Sequence, residues 1–419
     1  MHDVVLGIAA SPAYLVAAGF FALYPLFSAL MWVWTSLIYW FRRERSEDLS
    51  FYAIPDEGLP PVTVLVPAYQ EGLTICRTIT GLLEMDYPHI EIVIVDDGSP
   101  DDTLEKARSY LTDPRVRVVH KAVNEGKALA INDVLPLVTG EFVMIIDGDA
   151  VPAPDSLRWM VPHFLRNPRL AAVTGNPRVR NRDKLLAKVQ TVEFSSIVSL
   201  LKRAQVVWGR VMTVSGVIGL YRISAIERVG LFVHDAATED ISTSWKFQRH
   251  FFDVRYEPRA KVYMQVPPTL RSLWRQRMRW AKGLAQVLRR NSDIWLDWRN
   301  RRIFPVYLEA SLSIVWAYTF VVLSAMWLTT WALGVPLLGA TPVPAWWGML
   351  IGTMSLVQLG VGVLLDRRYD PEVTRYYAWA ALYPIIYWIQ MAFITAIATP
   401  AGLLKPYGSG VWRTPRSAD

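Results

Sequence analysis

The sequence predicts an α/β protein in which a mostly parallel, Rossmann-like sheet is combined with transmembrane α-helices. Two observations support this fold class. Long uncharged apolar blocks lie near both ends of the 419-residue chain, and the segment between them alternates short β-rich runs with helical patterns. In addition, 52% of the residues are hydrophobic and 18 are Trp, which is too apolar a composition for an ordinary soluble enzyme.

Three blocks without a charged residue are long enough to cross a bilayer, whose apolar core requires roughly 20 helical residues. They run from Val4 to Phe41, from Ala310 to Leu365 and from Tyr376 to Leu404. The second block has the length of two spans, with a turn around Gly334 and the segment Pro342–Pro344. Helices buried in a soluble core are excluded, because the blocks are apolar on every face and too long.

The blocks divide the chain into five parts: a transmembrane segment (1–41), a cytoplasmic linker (42–60), a cytoplasmic domain (61–302), about three C-terminal transmembrane segments (303–404) and a tail (405–419). The first block lacks the basic start and the cleavage site of a signal peptide. Pro384 and Pro400 permit a broken or re-entrant last segment, so the side on which the tail ends stays open.

Basic residues follow the first block directly. Arg42, Arg43 and Arg45 place the next domain in the cytoplasm by the positive-inside rule, and the single cysteine, Cys76, suits that reducing side. The net charge is +7, and residues 271–302 alone hold nine Arg and one Lys. Because this stretch precedes a membrane block, we interpret it as an anchor for anionic lipid, and nucleic acid is not an expected partner.

Four buried strands are predicted in the cytoplasmic domain, at Val62–Val66, Ile90–Val95, Val116–Val119 and Phe142–Ile146. Helical patterns follow them at Glu71–Glu84, Asp102–Leu111, Asn124–Val138 and Pro154–Phe164. Such alternation predicts a parallel sheet whose ligand site lies at the carboxyl ends of its strands. Two longer amphipathic stretches, at Leu185–Trp208 and Thr269–Leu288, are predicted to lie on the membrane surface or to be core helices.

Acidic residues follow two of the predicted strands and open a later helix. The motifs are Asp96–Ser99, Asp147–Asp149 and Thr238–Asp240. Each alone has an ordinary explanation, because Asp-Gly is a turn signal and Ser or Thr caps helices. Together at one edge of a sheet, the carboxylates would repel each other, so a cationic or hydrogen-bonding ligand is expected between them.

A nucleotide sugar with a divalent cation would supply that ligand. Asp147 and Asp149 are two residues apart and leave the strand on the same side, so one can accept from the ribose hydroxyls of the donor while the other holds a divalent cation. Asp97 suits the N–H edge of a uracil ring, with Tyr69 and Glu71 beside it. Lys127 is a candidate phosphate contact, although it lacks the glycine spacing of a P-loop.

A transfer to a sugar hydroxyl also requires a base. We expect Asp240 to accept the proton as the new bond forms, with Glu239 as its neighbour in the acceptor site. An acidic residue that stabilises a helix N-terminus is the ordinary alternative.

The last motif is Trp274–Trp280 on the second amphipathic stretch. Gln276, Arg279 and Trp280 stand at i, i+3 and i+4 and therefore share one helix face. Arg279 has the fork geometry for diphosphate oxygens, and Trp280 offers a flat surface to a pyranose ring. An ordinary amphipathic helix with a Trp is the alternative.

With these four motifs in order, the chain resembles the processive family-2 inverting glycosyltransferases, which include cellulose, chitin and hyaluronan synthases. The resemblance implies a GT-A domain. It assigns Asp97 to the donor base, Asp147 and Asp149 to donor and metal, and Asp240 to catalysis. The Gln276, Arg279 and Trp280 set matches the family's element at the donor diphosphate and acceptor terminus. Gln70 stands where the family more often has Asn.

A narrower resemblance rests on four segments: Val173–Arg180, Val214–Ile218, Ile241–Lys246 and Trp274–Trp280. They look like the bacterial synthases of the biofilm polysaccharide poly-β-1,6-N-acetylglucosamine. This implies a multi-pass protein of the bacterial inner membrane that uses UDP-N-acetylglucosamine, extends a polysaccharide chain and works with a small membrane accessory subunit. A chitin-like or hyaluronan-like product, a single transfer to a lipid carrier, and a non-catalytic scaffold are the alternatives.

Overall fold

The computed structural model describes residues 7–45, 49–335, 346–405 and 407. Eight strands form one sheet in the order β3-β2-β1-β4-β7-β6-β8-β5. The strands are β1 (Val62–Ala68), β2 (Ile90–Asp96), β3 (Val116–His120), β4 (Phe142–Ile146), β5 (Val151–Pro152), β6 (Leu170–Val179), β7 (Ile218–Arg222) and β8 (Asp253–Met264). The four predicted strands are present, and three of them continue for one or two further residues.

The first half of the sheet is parallel. β1 pairs with β2 on one side and with β4 on the other, and β2 pairs with β3, all in parallel. Ala68 lies opposite Asp96, so the ends of β1 and β2 meet at one edge, and β4 ends at the same edge. β7 is antiparallel to β4 and to β6, and β6 is parallel to β8. The sheet is therefore mixed, and its parallel half carries the predicted acidic edge.

Helices cover both faces of the sheet. The helices of this sheet domain are α2 (Ile75–Leu83), α3 (Thr103–Arg108), α4 (Lys127–Val134), α5 (Ser156–Leu165), α6 (Leu185–Glu193), α7 (Leu200–Trp208), α8 (Ile223–Arg228), α9 (Glu239–Arg249) and α10 (Leu270–Arg290). Alternate strand residues enter two separate cores: Val64 packs with α2 and α5, and Leu65 packs with α4 and α8. The predicted helix over 71–84 begins later, at Ile75, because the chain turns at Gln70, whose φ is 56°.

Three helices of the described residues are long and apolar enough to cross a membrane. They are α1 (Pro12–Tyr39), which continues to Glu44 as a π-turn, α11 (Phe304–Ala332) and α12 (Trp346–Asp366). The third predicted block instead consists of 3₁₀ turns (Pro371–Leu382), a π-turn (Pro384–Trp388) and the 16-residue helix α13 (Ile389–Leu404). The turn predicted at 342–344 lies outside the described residues.

The first predicted amphipathic stretch is a continuous helical segment made of α6, a π-turn (Phe194–Ser199) and α7. It lies between the sheet and the membrane helices. Val189 and Val192 pack with Leu359 of α12, and Trp208 stacks on Trp32 of α1 with ring centroids 4.4 Å apart. This stretch is therefore packed on both sides, as the core-helix alternative requires.

A buried charged cluster joins the C-terminal ends of α1 and α12 to the sheet domain. Arg203 on α7 pairs with Glu44 (Nε–Oε1, 2.7 Å) and with Asp366 (Nη1–Oδ1, 2.8 Å). Arg178 on β6 pairs with the other oxygen of Asp366 (2.5 Å), and Ser199 donates to that carboxylate as well. All four charged residues are at most 1% exposed, so each carboxylate replaces lost hydration with several donors.

Candidate active site

Asp97 closes the turn that leads into α4. Its fully buried carboxylate accepts hydrogen bonds from the backbone N–H groups of Glu125 (3.2 Å) and Gly126 (2.7 Å). Burial raises the pKa of Asp97, and these two N–H groups act against that rise. Gly98 adopts φ +70°, and a Cβ there would lie 2.9 Å from the carbonyl carbon of Val123. Asp97 thus holds this turn against the sheet edge, and its contact with a nucleobase stays a prediction.

Lys127 lies between the two groups of carboxylates. Its Nζ is 2.7 Å from Oδ1 of Asp147, 2.7 Å from the carbonyl oxygen of Gly216 and 3.5 Å from Oε1 of Glu239. Lys127 and Asp147 are both buried. The side chain predicted to contact phosphate therefore neutralises Asp147 and connects the end of β4 to the start of α9.

The loop Asp147–Asp149 packs closely against Glu71. A Cβ at Gly148 would lie 3.0 Å from Cγ of Glu71, and Thr78 donates to the carbonyl oxygen of Gly148 (2.8 Å). Oε2 of Glu71 accepts from Thr74 (2.8 Å). Asp149 is half-buried, and Tyr69 is half-buried just beyond β1. Tyr69, Glu71, Asp147 and Asp149 therefore meet at one edge of the sheet, as predicted.

Two guanidinium groups influence this edge. Burial, and then the positive charge of Arg77, lower the pKa of Arg180, whereas the carboxylate of Asp149 acts in the opposite direction. Nη2 of Arg180 is buried without a hydrogen-bond partner in the structure. The sequence analysis did not assign Arg180 a role, although it ends the segment Val173–Arg180 on which the narrower resemblance rests.

The acidic edge fits a cation that binds together with a phosphate ligand. Within the part of the chain that the structure describes, no group of three or more His, Cys, Asp or Glu residues forms a complete metal site. Mg²⁺ is ordinarily held by one or two carboxylates plus substrate phosphate oxygens rather than by a protein cage. Asp149, with Asp147 two residues away, supplies hard oxygen ligands of that kind.

Glu239 and Asp240 open α9 on the opposite side of Lys127. Oδ1 of Asp240 accepts from the N–H of Ile241 (2.8 Å). Burial, and then the charge of Glu239, raise the pKa of Asp240 to about 6, while Lys127 and Arg279 act to lower it. A small cavity of about 10 Å³, roughly enough for one water molecule, is lined by Lys127, Tyr221, Glu239 and Asp240. Lys127 contacts both Asp147 and Glu239, so the donor-side and acceptor-side carboxylates meet at one crevice around this lysine.

The helix α10 contains the predicted set Gln276, Arg279 and Trp280. Nη1 of Arg279 donates to the carbonyl oxygen of Ala237 (3.2 Å), three residues before Asp240. Gln276 and Trp280 are half-buried, and Trp280 packs against the main core of the sheet. The guanidinium of Arg277 lies 4.3 Å from the Trp280 ring centroid, so that face of the ring is covered within the protein.

Three buried charged residues near this site were not identified from sequence. Arg277 pairs with Glu193 (2.8 Å), and this ion pair connects α10 to α6. Lys202 on α7 donates to Oγ1 of Thr174 (2.9 Å). Burial lowers the pKa of Lys202 to about 7, and the negative charge of Asp240 opposes that change. The adjacent pair Lys202 and Arg203 within the amphipathic stretch Leu185–Trp208 was the available signal.

Comparisons with known proteins agree with this geometry. The family model described as "Glycosyltransferase like family 2" matches residues 60–283. Curated proteins named poly-β-1,6-N-acetyl-D-glucosamine synthase are 33% identical to this chain in Staphylococcus epidermidis (over 402 residues) and Staphylococcus aureus strain COL (over 406 residues). In both cases the match covers 94% of this chain and 97% of the relative.

A solved structure with a similar fold is the mannosyltransferase PcManGT from Pyrobaculum calidifontis, in complex with GDP-Man and Mn²⁺. Its sequence is 25% identical, the TM-score is 0.57, and the alignment covers 87% of this chain and 98% of that one. The mixed sheet described above is thus the GT-A fold. The family match spans residues 60–283 and the relatives span nearly the whole chain, so this protein belongs to glycosyltransferase family 2.

Proposed function

We propose that this enzyme polymerises N-acetylglucosamine from UDP-N-acetylglucosamine into poly-β-1,6-N-acetyl-D-glucosamine at the bacterial inner membrane. The observation that supports it most is the crevice in which Lys127 joins Asp147 on the donor side to Glu239, beside Asp240, on the acceptor side. The relatives' names supply the sugar and the linkage. The three candidate membrane spans suit a synthase whose catalytic domain faces the cytoplasm and whose product leaves through the membrane.

On the donor side, the uridine diphosphate would lie along the carboxyl ends of β1, β2 and β4. Tyr69, Glu71 and Asp97 are assigned to the nucleoside, and Asp147 to the donor sugar-nucleotide. Asp149 would hold Mg²⁺ or Mn²⁺, which when bound neutralises charge on the leaving diphosphate. Gln276 and Arg279 are assigned to the diphosphate.

On the acceptor side, Asp240 accepts the proton of the C6 hydroxyl at the end of the growing chain. The bond from that oxygen to C1 of the donor forms as the bond from C1 to the UDP oxygen breaks on the opposite face, which inverts C1. A base is most effective when its pKa is close to the working pH, and the pKa of Asp240 is raised to about 6. Glu239 and Trp280 would hold the acceptor sugar.

The test uses purified enzyme in detergent with UDP-N-acetylglucosamine and Mg²⁺ or Mn²⁺. We expect a long polymer that a β-1,6-hexosaminidase digests and a chitinase does not. A chitinase-sensitive product would overturn the linkage, and a product of one added sugar would indicate single transfer to a lipid carrier. Synthesis that requires a second, co-expressed membrane protein would support an accessory subunit.

A substitution tests the base directly. Asp240→Asn should lower the turnover number by about 10²–10⁴-fold, because a positioned base contributes that range, while the affinity for UDP stays unchanged. The matched control is Asp86→Asn, an exposed aspartate that pairs only with Arg158 in the structure. Unchanged turnover in Asp240→Asn would refute the assigned base and favour a non-catalytic scaffold.

A further inference from the structure

The loop that carries the proposed base into the crevice enters α9 without a side-chain cap. Thr238 precedes the first residue of α9, but its side chain makes no capping hydrogen bond. Oγ1 of Thr238 is buried without a hydrogen-bond partner in the structure. A helix start normally satisfies its free N–H groups with such a cap. The position of Asp240 therefore depends on contacts from another element as well as on bonds within α9.

One face of α10 provides these contacts. Arg279, Gly283, Gln286 and Arg290 are spaced by four, three and four residues and so line one side of the helix. Arg279 donates to the carbonyl oxygen of Ala237 (3.2 Å), and Arg290 donates to the carbonyl oxygen (2.6 Å) and carboxylate (2.9 Å) of Asp235. These bonds hold the loop at Asp235 and at Ala237.

Gly283 lets the helix approach this loop. A Cβ at this position would lie 2.2 Å from Oγ1 and 2.5 Å from Cγ2 of Thr238, which is well inside van der Waals contact. The helix backbone and the residue that precedes α9 are therefore packed against each other.

Gln286 makes two hydrogen bonds, one as an acceptor and one as a donor. Its Oε1 accepts from the N–H of Ala237 (2.9 Å), and its Nε2 donates to the carbonyl oxygen of Lys405 (3.0 Å). The side chain is completely buried. The partners fix the orientation of the amide, because a backbone N–H can only donate and a carbonyl oxygen can only accept.

Lys405 ends α13, the last membrane-region helix, and α13 packs tightly on α10. A Cβ at Gly402 would lie 2.5 Å from the carbonyl oxygen of Lys282 and 2.7 Å from Cβ of Ala285. The guanidinium of Arg290 lies 4.5 Å from the ring centroid of Tyr407. One side of α10 thus faces the base-carrying loop, and the neighbouring side faces the end of α13.

We propose that Gln286 is a positioning residue that sets the location of Asp240 relative to the cytoplasmic end of α13. The inference rests on the proposed function, in which Asp240 is the base. The Gln286 amide connects the loop before α9 directly to the end of the membrane region. A shift of α13 would consequently displace the loop before α9 on the acceptor side of the crevice. The donor-side turns would keep their positions.

The test compares Gln286→Glu and Gln286→Leu with Arg289→Gln, an exposed residue on the same helix, as the matched control. Both Gln286 variants should lower kcat by about tenfold or more, because small misplacements of a reacting group are costly, while KM for the donor and the affinity for UDP stay within twofold. The control should keep the wild-type kcat. Thermal unfolding in detergent verifies that each variant is folded.

A pH profile separates positioning from a general structural role. In Gln286→Glu the introduced carboxyl can accept from Ala237 and donate to Lys405 only when it is protonated. The ratio of its kcat to that of the wild type should therefore rise as the pH falls, whereas the ratio for Gln286→Leu should stay constant. These outcomes support the proposal.

Wild-type kcat in a folded Gln286→Leu, or a loss of UDP affinity equal to the loss of kcat, would overturn it. Asp240→Asn, measured in parallel, distinguishes the two proposals. If Asp240→Asn is inactive and Gln286→Leu is fully active, only the positioning role fails. If Asp240→Asn is active, the assigned base fails whatever the Gln286 variants show.

Discussion

The donor side and the acceptor side of the crevice are built in different ways. On the donor side, Asp97 and the loop Asp147–Asp149 are held by turns and side chains of the parallel half of the sheet. On the acceptor side, Asp240 follows a loop that is held by α10, and α10 packs on α13. The donor-side turns are thus held within the sheet domain, whereas the position of Asp240 also depends on the membrane region.

The largest effect is expected from closing the space between α10 and the loop before α9. Gly283→Ala should lower kcat by about 10²-fold, because the new methyl group overlaps Thr238 and displaces the base, while donor KM changes little. Gly148→Ala, on the donor side, should instead raise donor KM several-fold with a smaller effect on kcat. Steady-state kinetics of both variants measure this split.

Gly352→Ala is the control for these two substitutions, because among the described residues nothing outside its own helix turn lies within 4 Å of a Cβ at Gly352. It should leave both constants unchanged. If Gly283→Ala raised donor KM and kept kcat, the division between the two sides would be wrong.

A smaller effect is expected from the charge of Asp240. Its pKa is raised from the ordinary value of 3.8 to about 6, so its ionisation opposes folding as the pH rises through that interval. Asp240→Asn should therefore unfold less readily than the wild type above pH 6, by about 1–2 kcal/mol, since Asp240 is only half-buried and water screens part of the cost.

Thermal or denaturant unfolding in detergent at several pH values measures this difference, which should shrink below pH 6 and disappear near pH 4. Asp86→Asn, on the surface, should show no such gain. If the Asp240→Asn variant had a lower free energy of unfolding than the wild type at pH 8, the prediction would be contradicted.

The smallest effect is expected at the donor-side turn. Gln70 adopts φ 56°, a left-handed conformation that Asn adopts more readily than Gln. Its backbone N–H donates to Oγ of Ser99 (3.0 Å), and this hydrogen bond does not depend on the side chain at position 70. Gln70→Asn should therefore stabilise the domain by about 0.5 kcal/mol with unchanged kcat. Gln70→Ala, which gains no such preference, is the control, and equal unfolding midpoints for the two would argue against backbone strain.

The parallel half of the sheet could be predicted from sequence because its signals are local. Alternating strands and helices place Asp97, Asp147 and Asp149 at one edge without further information. Asp240 was predicted from the motif that opens α9, and the structure brings it to the same crevice. The spacing of Gln276, Arg279 and Trp280 gave the shared helix face.

The remaining contacts join residues that are far apart along the chain. Nothing near Lys127 indicates that its partners are Asp147 and Glu239, and nothing near Gln286 points to Lys405. Composition likewise predicted an apolar last block, but its division into 3₁₀ turns, a π-turn and α13 follows from tertiary packing and not from hydropathy. Burial of the first amphipathic stretch depends in the same way on its neighbours on both sides.

The charged cluster around Arg203 sets an order for assembly. Glu44 and Arg203 are synthesised well before Asp366, which ends α12, so Arg203 meets its first carboxylate early and its second only after the third candidate span has been made. Arg178, buried in the sheet, likewise gains its carboxylate partner only after Asp366 has been synthesised. Final docking of the catalytic domain onto the membrane helices therefore depends on the last residue of α12, and a product truncated before Asp366 would lack the carboxylate that both Arg178 and Arg203 contact.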